Sequence, residues 1–429
     1  MGRVVLAGTF EIIGILVLVT AGVQAVVALT SSVRRYVTFA RRSESQNELF
    51  RKRTDIELEV ARVEREQSDL TWNGPRKFEI AKRVYENLNE DVCSFYLKPH
   101  DRKEIPPFRP GQFLTFHLNI PGQSKTITRC YSLSDCPEQR DYYRISVRRQ
   151  GLPPNAPEGT PPGLSSNFFH DHIQEGDIVD VLAPAGEFYL NKEFDRPVVL
   201  ISGGVGLTPS VSMLNHIVES GSNREVWFFY GVRHRGEHAM HEHLSRLAEE
   251  NANINLIVCY SEPTDICVLG RDYTHKGWVN VKLMKDLLPA NNYEFYICGP
   301  PPMMEMITDD LKAWGVPEAD INFEAFGPAT VKKISNADES SEVSVEFEVV
   351  FSRSNKKATW SEKKGAILEL GESLGLSLES GCRSGSCGTC LVAIKEGDIE
   401  YLHRPSRPTE VGSCLICVSR PKSRIVLDA

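Results

Sequence analysis

"SGCRSGSCGTCLV", residues 380–392, sets Cys382, Cys387 and Cys390 in a C-x4-C-x2-C run near the end of a 429-residue chain. Closely spaced cysteines form a disulfide framework, a zinc site or the ligand set of an iron-sulfur cluster, and spacing with context separates the three. This spacing fits a two-iron two-sulfur cluster, which needs one further, distant cysteine. Cys414 and Cys417 both compete for that place. Zinc would be expected to use two short C-x2-C pairs; 387/390 and 414/417 form such pairs, but Cys382 would then have no role. Gly381, Ser384, Gly385, Ser386, Gly388 and Thr389 are small. They let the loop curl around inorganic sulfides with backbone N–H groups turned inward, and such hydrogen bonds tune a potential near about -400 mV.

The surrounding composition is globular, with 41% hydrophobic and 25% charged residues, and the length accommodates two to four domains. A net charge of -8 argues against a nucleic-acid surface, which needs clustered Lys and Arg. The N-terminus departs from this picture. "IIGILVLVTAGVQAVVAL" (12–29) is an uncharged run of eighteen residues that would span roughly 27 Å as a helix, close to the hydrocarbon thickness of a bilayer. A transmembrane helix is therefore expected over 4–29, with Glu11 at its outer end. Arg34, Arg35, Arg41, Arg42, Arg51, Lys52 and Arg53 follow it and only Arg3 precedes it. By the positive-inside rule the chain is single-pass in the inner (cytoplasmic) membrane with its catalytic domains in the cytoplasm. A reducing compartment also disfavours disulfides among the eleven cysteines. The helix-forming, charged stretch 30–72 reads as a stalk.

From 73 to 192, short alternating segments such as "CSFYLKP", "QFLTFHL" and "YRISVRR" are separated by Pro- and Gly-bearing turns, the pattern of an antiparallel barrel. Within it "RCYSLS" (129–134) puts a cation and an aromatic on alternate positions of one strand face, and a hydroxyl facing across. Arg129 could pair with a flavin phosphate, Tyr131 could stack on the isoalloxazine ring, and Ser132 could hydrogen-bond near its N5. "GLSSNFFHDH" (163–172) has the signature of a helix N-terminus able to accept a pyrophosphate. The pattern changes at 193–328. "PVVLISGGVGLTPSVSML" is a buried strand, a glycine turn and a helix start, and three further strand-helix units follow. They predict a parallel sheet whose ligand lies at the C-terminal strand ends. In "RHRGEHAMHEH", His238 and His241 could share a helix face, but no acidic or Cys partner completes an obvious metal set, and core histidines are expected. A polar linker (329–342) leads to 343–429, in which "VSVEFEVVF" alternates as a strand and "AILELGESLG" reads as a short helix.

The motifs R-x-Y-S, G-x-x-S, G-G-x-G-x-T-P and C-G-P-x-x-M, in that order across 129–304, resemble the ferredoxin-NADP reductase superfamily. The likeness is to reductases of the flavohaemoglobin and the phenylacetate- and phthalate-oxygenase type. The resemblance implies that Arg129, Tyr131 and Ser132 hold FAD, and that Arg148 and the Gly163–Ser166 helix start support its phosphates. It implies further that Gly203, Gly204, Gly206, Thr208, Gly299 and Pro300 meet the dinucleotide. Cys298 would approach the nicotinamide C4, and Phe326 in "FEAFGP" would lie near the flavin. Members using NADPH commonly carry Ser-Arg where this chain has Ser261-Glu262; a carboxylate there repels a 2'-phosphate, so Glu262 predicts NADH. The tail "LICVSRPKSRIVLDA" resembles the C-terminal plant-type ferredoxin domain of phthalate dioxygenase-type reductases, in which the ligand directly precedes Val-Ser-Arg. That selects Cys417 and leaves Cys414 spare.

The expected fold is therefore multidomain: a transmembrane helix, an antiparallel β-barrel flavin domain, an α/β parallel-sheet nucleotide domain and an α+β β-grasp ferredoxin domain. NADH delivers two electrons at once and a two-iron cluster carries one, so a flavin must stand between them. The expected activity is an NADH-dependent oxidoreductase passing electrons through FAD and one 2Fe-2S cluster to a separate protein, an oxygenase or desaturase component. A subunit of a sodium-pumping NADH:quinone reductase and a non-catalytic anchored redox sensor are the competing readings.

Overall fold

The computed structural model describes residues 69–152, 163–191, 196–324, 326 and 346–429, less 384, 386, 403, 404 and 406–408, with scattered helical positions between 22 and 66. Residues 1–65 and 66–429 are separate compact units. Most of the expected membrane helix, and all of 331–342 in the linker, lie outside the described residues. Among the described residues no helix is long and apolar enough to cross a membrane. The described positions at the end of the apolar run, Leu29 and Thr30, lead into the helical Arg34 and Tyr36. This corrects the expected span over 4–29 and, with it, the placement in the inner membrane. Hydropathy states what a helix would tolerate in lipid; it does not establish an uninterrupted helix of spanning length.

The first body of the larger unit has six strands: β1 (Arg76–Tyr85), β2 (Val92–Pro99), β3 (Phe113–Leu118), β4 (Ile127–Ser132), β5 (Tyr143–Arg148) and β6 (Ile178–Ala185), with helix α1 (Leu164–Asp171) between the last two. They pair antiparallel in the order β4-β3-β6-β1-β2-β5. A bridge between Leu133 and Ile145 joins the two edges and closes the barrel. Closure removes unpaired edges, and alternation turns Phe78, Ile80, Phe95, Leu97, Phe116 and Val181 into a common core.

The second body is a parallel sheet of β7 (Val198–Gly203), β8 (Val226–Val232), β9 (Ile254–Tyr260), β10 (His275–Lys276), β11 (Glu294–Cys298) and β12 (Ile321–Glu324). Helices α2 (Leu207–Glu219), α3 (His241–Glu250), α4 (Val281–Leu287) and α5 (Pro301–Ala313) accompany it. Every residue of β7 and β11 is buried, as a sheet covered on both faces requires. The strand order β10-β9-β8-β7-β11-β12 reverses direction between β7 and β11. Loops leaving adjacent strands diverge at such a switch point and open a crevice at their C-terminal ends. The Gly203–Gly206 turn and Cys298–Pro300 border it.

The third body is a mixed sheet, β14-β13-β19-β15-β17, with β13 (Phe347–Phe351), β14 (Lys356–Trp360), β15 (Leu391–Glu396), β17 (Ser413–Leu415) and β19 (Ile425–Leu427). A separate ribbon pairs β16 (Ile399–Tyr401) with β18 (Ser419–Pro421). Helix α6 (Ile367–Ser373) packs Ile367, Leu368 and Leu370 into its core.

The histidines of "RHRGEHAMHEH" serve this packing. His238 Nδ1 is 2.8 Å from the Tyr260 hydroxyl, and His243 Nε2 is 2.8 Å from Asn215 Oδ1. Burial, reinforced by Arg144 and Arg246, pushes His243 down to about 4; burial and the neighbouring His241 push His238 down as well. The native imidazoles stay neutral where the unfolded chain takes up protons, so stability is present above about pH 6.5 and is lost as pH falls towards about 4. His243 alone should cost about 2 kcal/mol between pH 7 and pH 5. Thermal unfolding across that window should show the fall, and His243→Gln should flatten it; an equally steep fall in the variant would refute the assignment.

Candidate functional site

At the crevice, the glycines are dictated by close approach. A Cβ on Gly203 would lie 2.6 Å from Met303 Sδ and 2.7 Å from Pro300 Cδ, and one on Gly206 would fall on the Cys298 carbonyl. Gly204 has φ +54°, and a Cβ there would sit 3.3 Å from an Arg148 guanidinium nitrogen. The turn after β7 is thus held against Cys298, Gly299 and Pro300, and the Arg148 guanidinium lies beside Gly204. Thr208 closes the turn, its Oγ1 donating to the Val205 carbonyl at 3.2 Å.

Cys298, the last residue of β11, is fully buried, and burial raises its thiol well above the usual range, so it stays protonated. Its register partner in β12 is Glu324, a residue that the sequence reading passed over. The Ser132 hydroxyl, at the end of β4, donates to Glu324 Oε2 at 3.3 Å. Burial pushes the Glu324 carboxyl up to about 8, against the lowering effect of that bond. Ser132, Glu324 and Cys298 therefore meet where barrel and parallel sheet join. Phe326 lies two residues beyond the end of β12 and is 38% exposed.

Tyr131 is half-buried, its ring edge-on to Phe116 at 5.7 Å and Phe169 at 5.1 Å. Arg129 is exposed and donates to the neighbouring Thr128 carbonyl at 2.8 Å. The α1 N-terminus is built for an acceptor. Gly163 packs so tightly on Gln150 that a Cβ would clash, and the Ser166 hydroxyl donates to the Gly163 carbonyl at 3.2 Å. Among the described residues, buried Ser165 Oγ and Asn167 Oδ1 have no hydrogen-bond partner, which suits a polar phosphate or ribose group arriving there. Arg148, expected as a phosphate support, is held between two carboxylates with its guanidinium beside the Gly204 turn. It bridges Asp91 at 3.2 Å and Glu237 at 2.9 Å, and so ties the barrel to the parallel sheet. Glu262, exposed after β9, bonds through its backbone N–H to the Arg233 carbonyl at 2.8 Å.

The cysteines fall into two pairs. Cys382 and Cys387 exchange backbone N–H to Sγ bonds of 3.2 Å each, and Cys390 Sγ is 3.0 Å from Cys417 Sγ. Among the described residues no three His, Cys, Asp or Glu groups converge on one metal ion. Two pairs suit two irons, each with two thiolates, better than a single ion. Gly385 (φ +73°) and Gly388 (φ +77°) supply the left-handed turns the loop needs. Cys414 points elsewhere: it pairs with Val392 across β15–β17 and is fully buried in the apolar core.

The sequence matches three family descriptions: "Oxidoreductase FAD-binding domain" over 80–189, "Oxidoreductase NAD-binding domain" over 200–309 and "2Fe-2S iron-sulfur cluster binding domain" over 351–422. The barrel, the switch-point crevice and the cysteine loop carry these three parts in the same order, and the chain belongs to the ferredoxin-NADP reductase superfamily, as an oxidoreductase with FAD-, NAD- and 2Fe-2S-binding domains. Among its relatives is a flavohemoprotein of Halalkalibacterium halodurans, 39% identical over 289 residues, or 67% of this chain and 69% of that protein. One from Bacillus thuringiensis is 42% identical over 259 residues, 60% of this chain and 62% of that one. The chain thus spans about two thirds or less of these relatives' length. Among solved structures, the flavohem-like FAD/NAD-binding domain of a Vibrio cholerae nitric oxide dioxygenase is 30% identical (TM-score 0.52), covering 60% of this chain and all of that one. Phthalate dioxygenase reductase, described as modular for electron transfer from pyridine nucleotides to [2Fe-2S], is 28% identical (TM-score 0.50) and covers 85% and 99%.

The geometry separates the two candidates for the fourth ligand by experiment. Cys417→Ser should abolish the visible absorption and the paramagnetic signal of the reduced cluster. Cys414→Ser should retain both at a modest loss of thermal stability; the reverse outcome would reassign the ligand.

Proposed function

We propose that the chain takes electrons from NADH and delivers them singly to a separate acceptor protein, an oxygenase or desaturase component. One observation supports this most directly: β4 is shared by all three parts. Ser132 at its end bonds to Glu324 beside Cys298, while Thr128 faces the cysteine loop. When bound, the flavin accepts a hydride and gives up electrons one at a time, which a cluster carrying one electron needs.

The chain's residues then divide the work. Gly203, Gly204, Gly206 and Thr208 bind the dinucleotide phosphates through backbone groups, with Gly299 and Pro300 lining the opposite wall. Cys298, protonated and buried at the end of β11, would stand beside the nicotinamide. Tyr131 and Ser132 orient the flavin ring, Arg129 and the Gly163–Ser166 turn hold its phosphates, and Glu324 holds a proton against the Ser132 hydroxyl. Cys382, Cys387, Cys390 and Cys417 hold the cluster.

Glu262 favours NADH because a 2'-phosphate beside its carboxylate is repelled. Steady-state kinetics should give NADH roughly ten- to a hundredfold the kcat/KM of NADPH, and Glu262→Arg should narrow that ratio by about tenfold. An NADPH preference that Glu262→Arg leaves unmoved would overturn the cofactor assignment.

A further inference from the structure

Asp135 stands three residues beyond Ser132, just past the end of β4, and has no part in the functions assigned above. The helix that faces it is α2, whose first residue follows the Gly203–Gly206 turn directly. Along α2, Ser212, Asn215 and His216 are spaced three and four residues apart and so share one face. All three reach the segment that Asp135 begins. The Ser212 hydroxyl donates to the Asp135 carbonyl at 2.8 Å, Asn215 Nδ2 donates to Asp135 Oδ1 at 3.4 Å, and His216 Nδ1 lies 2.7 Å from Glu138 Oε1. Ser212 and Asn215 are buried, so water competes little for these bonds.

The Asp135 carboxylate gathers donors from both sides of the seam. Oδ1 also accepts the Cys136 N–H at 2.8 Å, while Oδ2 accepts the Tyr142 hydroxyl at 3.1 Å and lies 3.4 Å from Arg144 Nε. On the helix side the polarity of each bond follows from chemistry. Asn215 spends its amide hydrogen on a carboxylate, so its Oδ1 accepts, and the proton on that bond belongs to His243 Nε2, 2.8 Å away. His243 Nδ1 then accepts from Arg246 at 3.3 Å. A single chain of donors runs from Arg246 through His243 and Asn215 to Asp135, every one pointing towards the carboxylate. Its two ends serve different cofactors. Ser132 lies three residues before Asp135, and Thr208 lies one helical turn before Ser212.

We propose that Asp135 is a positioning residue for hydride transfer: its carboxylate and carbonyl hold the Ser212–Asn215 face of α2 against the end of β4, so that the dinucleotide turn and Ser132 keep one fixed separation. The inference rests on the flavin and dinucleotide sites proposed above. Transfer between two bound groups falls steeply with misplacement, by roughly a hundredfold for about 1 Å. A side chain that only stabilised the fold would lower the melting temperature and leave the transfer step as it was.

The test uses the full holoprotein. Asn215→Leu removes the donor to Asp135 at similar volume, Asn215→Asp sets a second carboxylate against it, and Asp135→Asn combined with Asn215→Asp lets a donor face an acceptor again. Rapid mixing with saturating NADH should show flavin reduction slowed roughly three- to tenfold in Asn215→Leu and further in Asn215→Asp, while KM for NADH moves by less than about twofold. NADH deuterated at the transferred position should give a larger isotope effect than in the parent, and the double variant should recover part of each loss. Two readouts stand apart from turnover. The charge-transfer absorbance of reduced flavin with NAD+ should weaken, and hydrogen exchange should show residues 133–138 and 207–219 losing protection together. An Asn215→Leu protein with the parent's reduction rate, isotope effect and charge-transfer band overturns the proposal, whatever its melting temperature. If the Asn215 variants fail to fold, an unchanged isotope effect in Ser212→Ala, which loses the bond to the Asp135 carbonyl, overturns it instead. A parent holoprotein whose flavin NADH does not reduce would sink the site assignment itself, a failure visible before any variant is made.

Discussion

The hydrogen bond from Ser132 to Glu324 joins the last residue of a barrel strand to the last residue of a parallel strand, and the rest of the site is arranged around it. Glu324 is a short edge-strand residue whose register with Cys298 sets it on the same face, where the two sheets meet. A carboxyl held there is costly unless it is protonated or hydrogen-bonded, and burial pushes it up to about 8. That constraint fixes how closely strand β4 can approach the crevice between β7 and β11.

Around this contact each neighbouring element has one permitted arrangement. Gly206 lies so close under the Cys298 carbonyl that no side chain fits, and Gly203 fits only because Met303 and Pro300 pack against a bare backbone. Arg148, between Asp91 and Glu237, secures the barrel to the parallel sheet with charge-assisted bonds rather than apolar area. The third body repeats the device: Gly381 lets the cysteine loop approach Thr128. Strand β4 thus has one face for Tyr131 and its aromatic neighbours and the other for the cysteines, as the two-residue period of a strand dictates.

Much of this was legible from local patterns. The alternation of "QFLTFHL" and "YRISVRR", the unbroken apolar run of "PVVLISG" and the spacing of Cys382, Cys387 and Cys390 are signals within a few residues, and each appears in the structure as the strand or loop it suggests. The preference for Cys417 over Cys414 came from resemblance; in the structure Cys417 Sγ lies 3.0 Å from Cys390 Sγ, and Cys414 is buried in the core. Most of the apolar N-terminal run lies outside the described residues, and no described helix is long and apolar enough to cross a membrane. The charge of Arg148 was visible in the sequence, whereas its two carboxylate partners, 57 and 89 residues away, were not.

The sequence by itself determined the order of the three domains, the cysteine spacing and the glycine turns, because each depends on residues close together along the chain. Only the tertiary structure decided that Glu324 stands beside Cys298 and reaches Ser132, 192 residues earlier, and that Thr128 lies against Gly381 of the cysteine loop. Strand register and domain packing bring those groups together, and no local periodicity encodes a contact across such a separation.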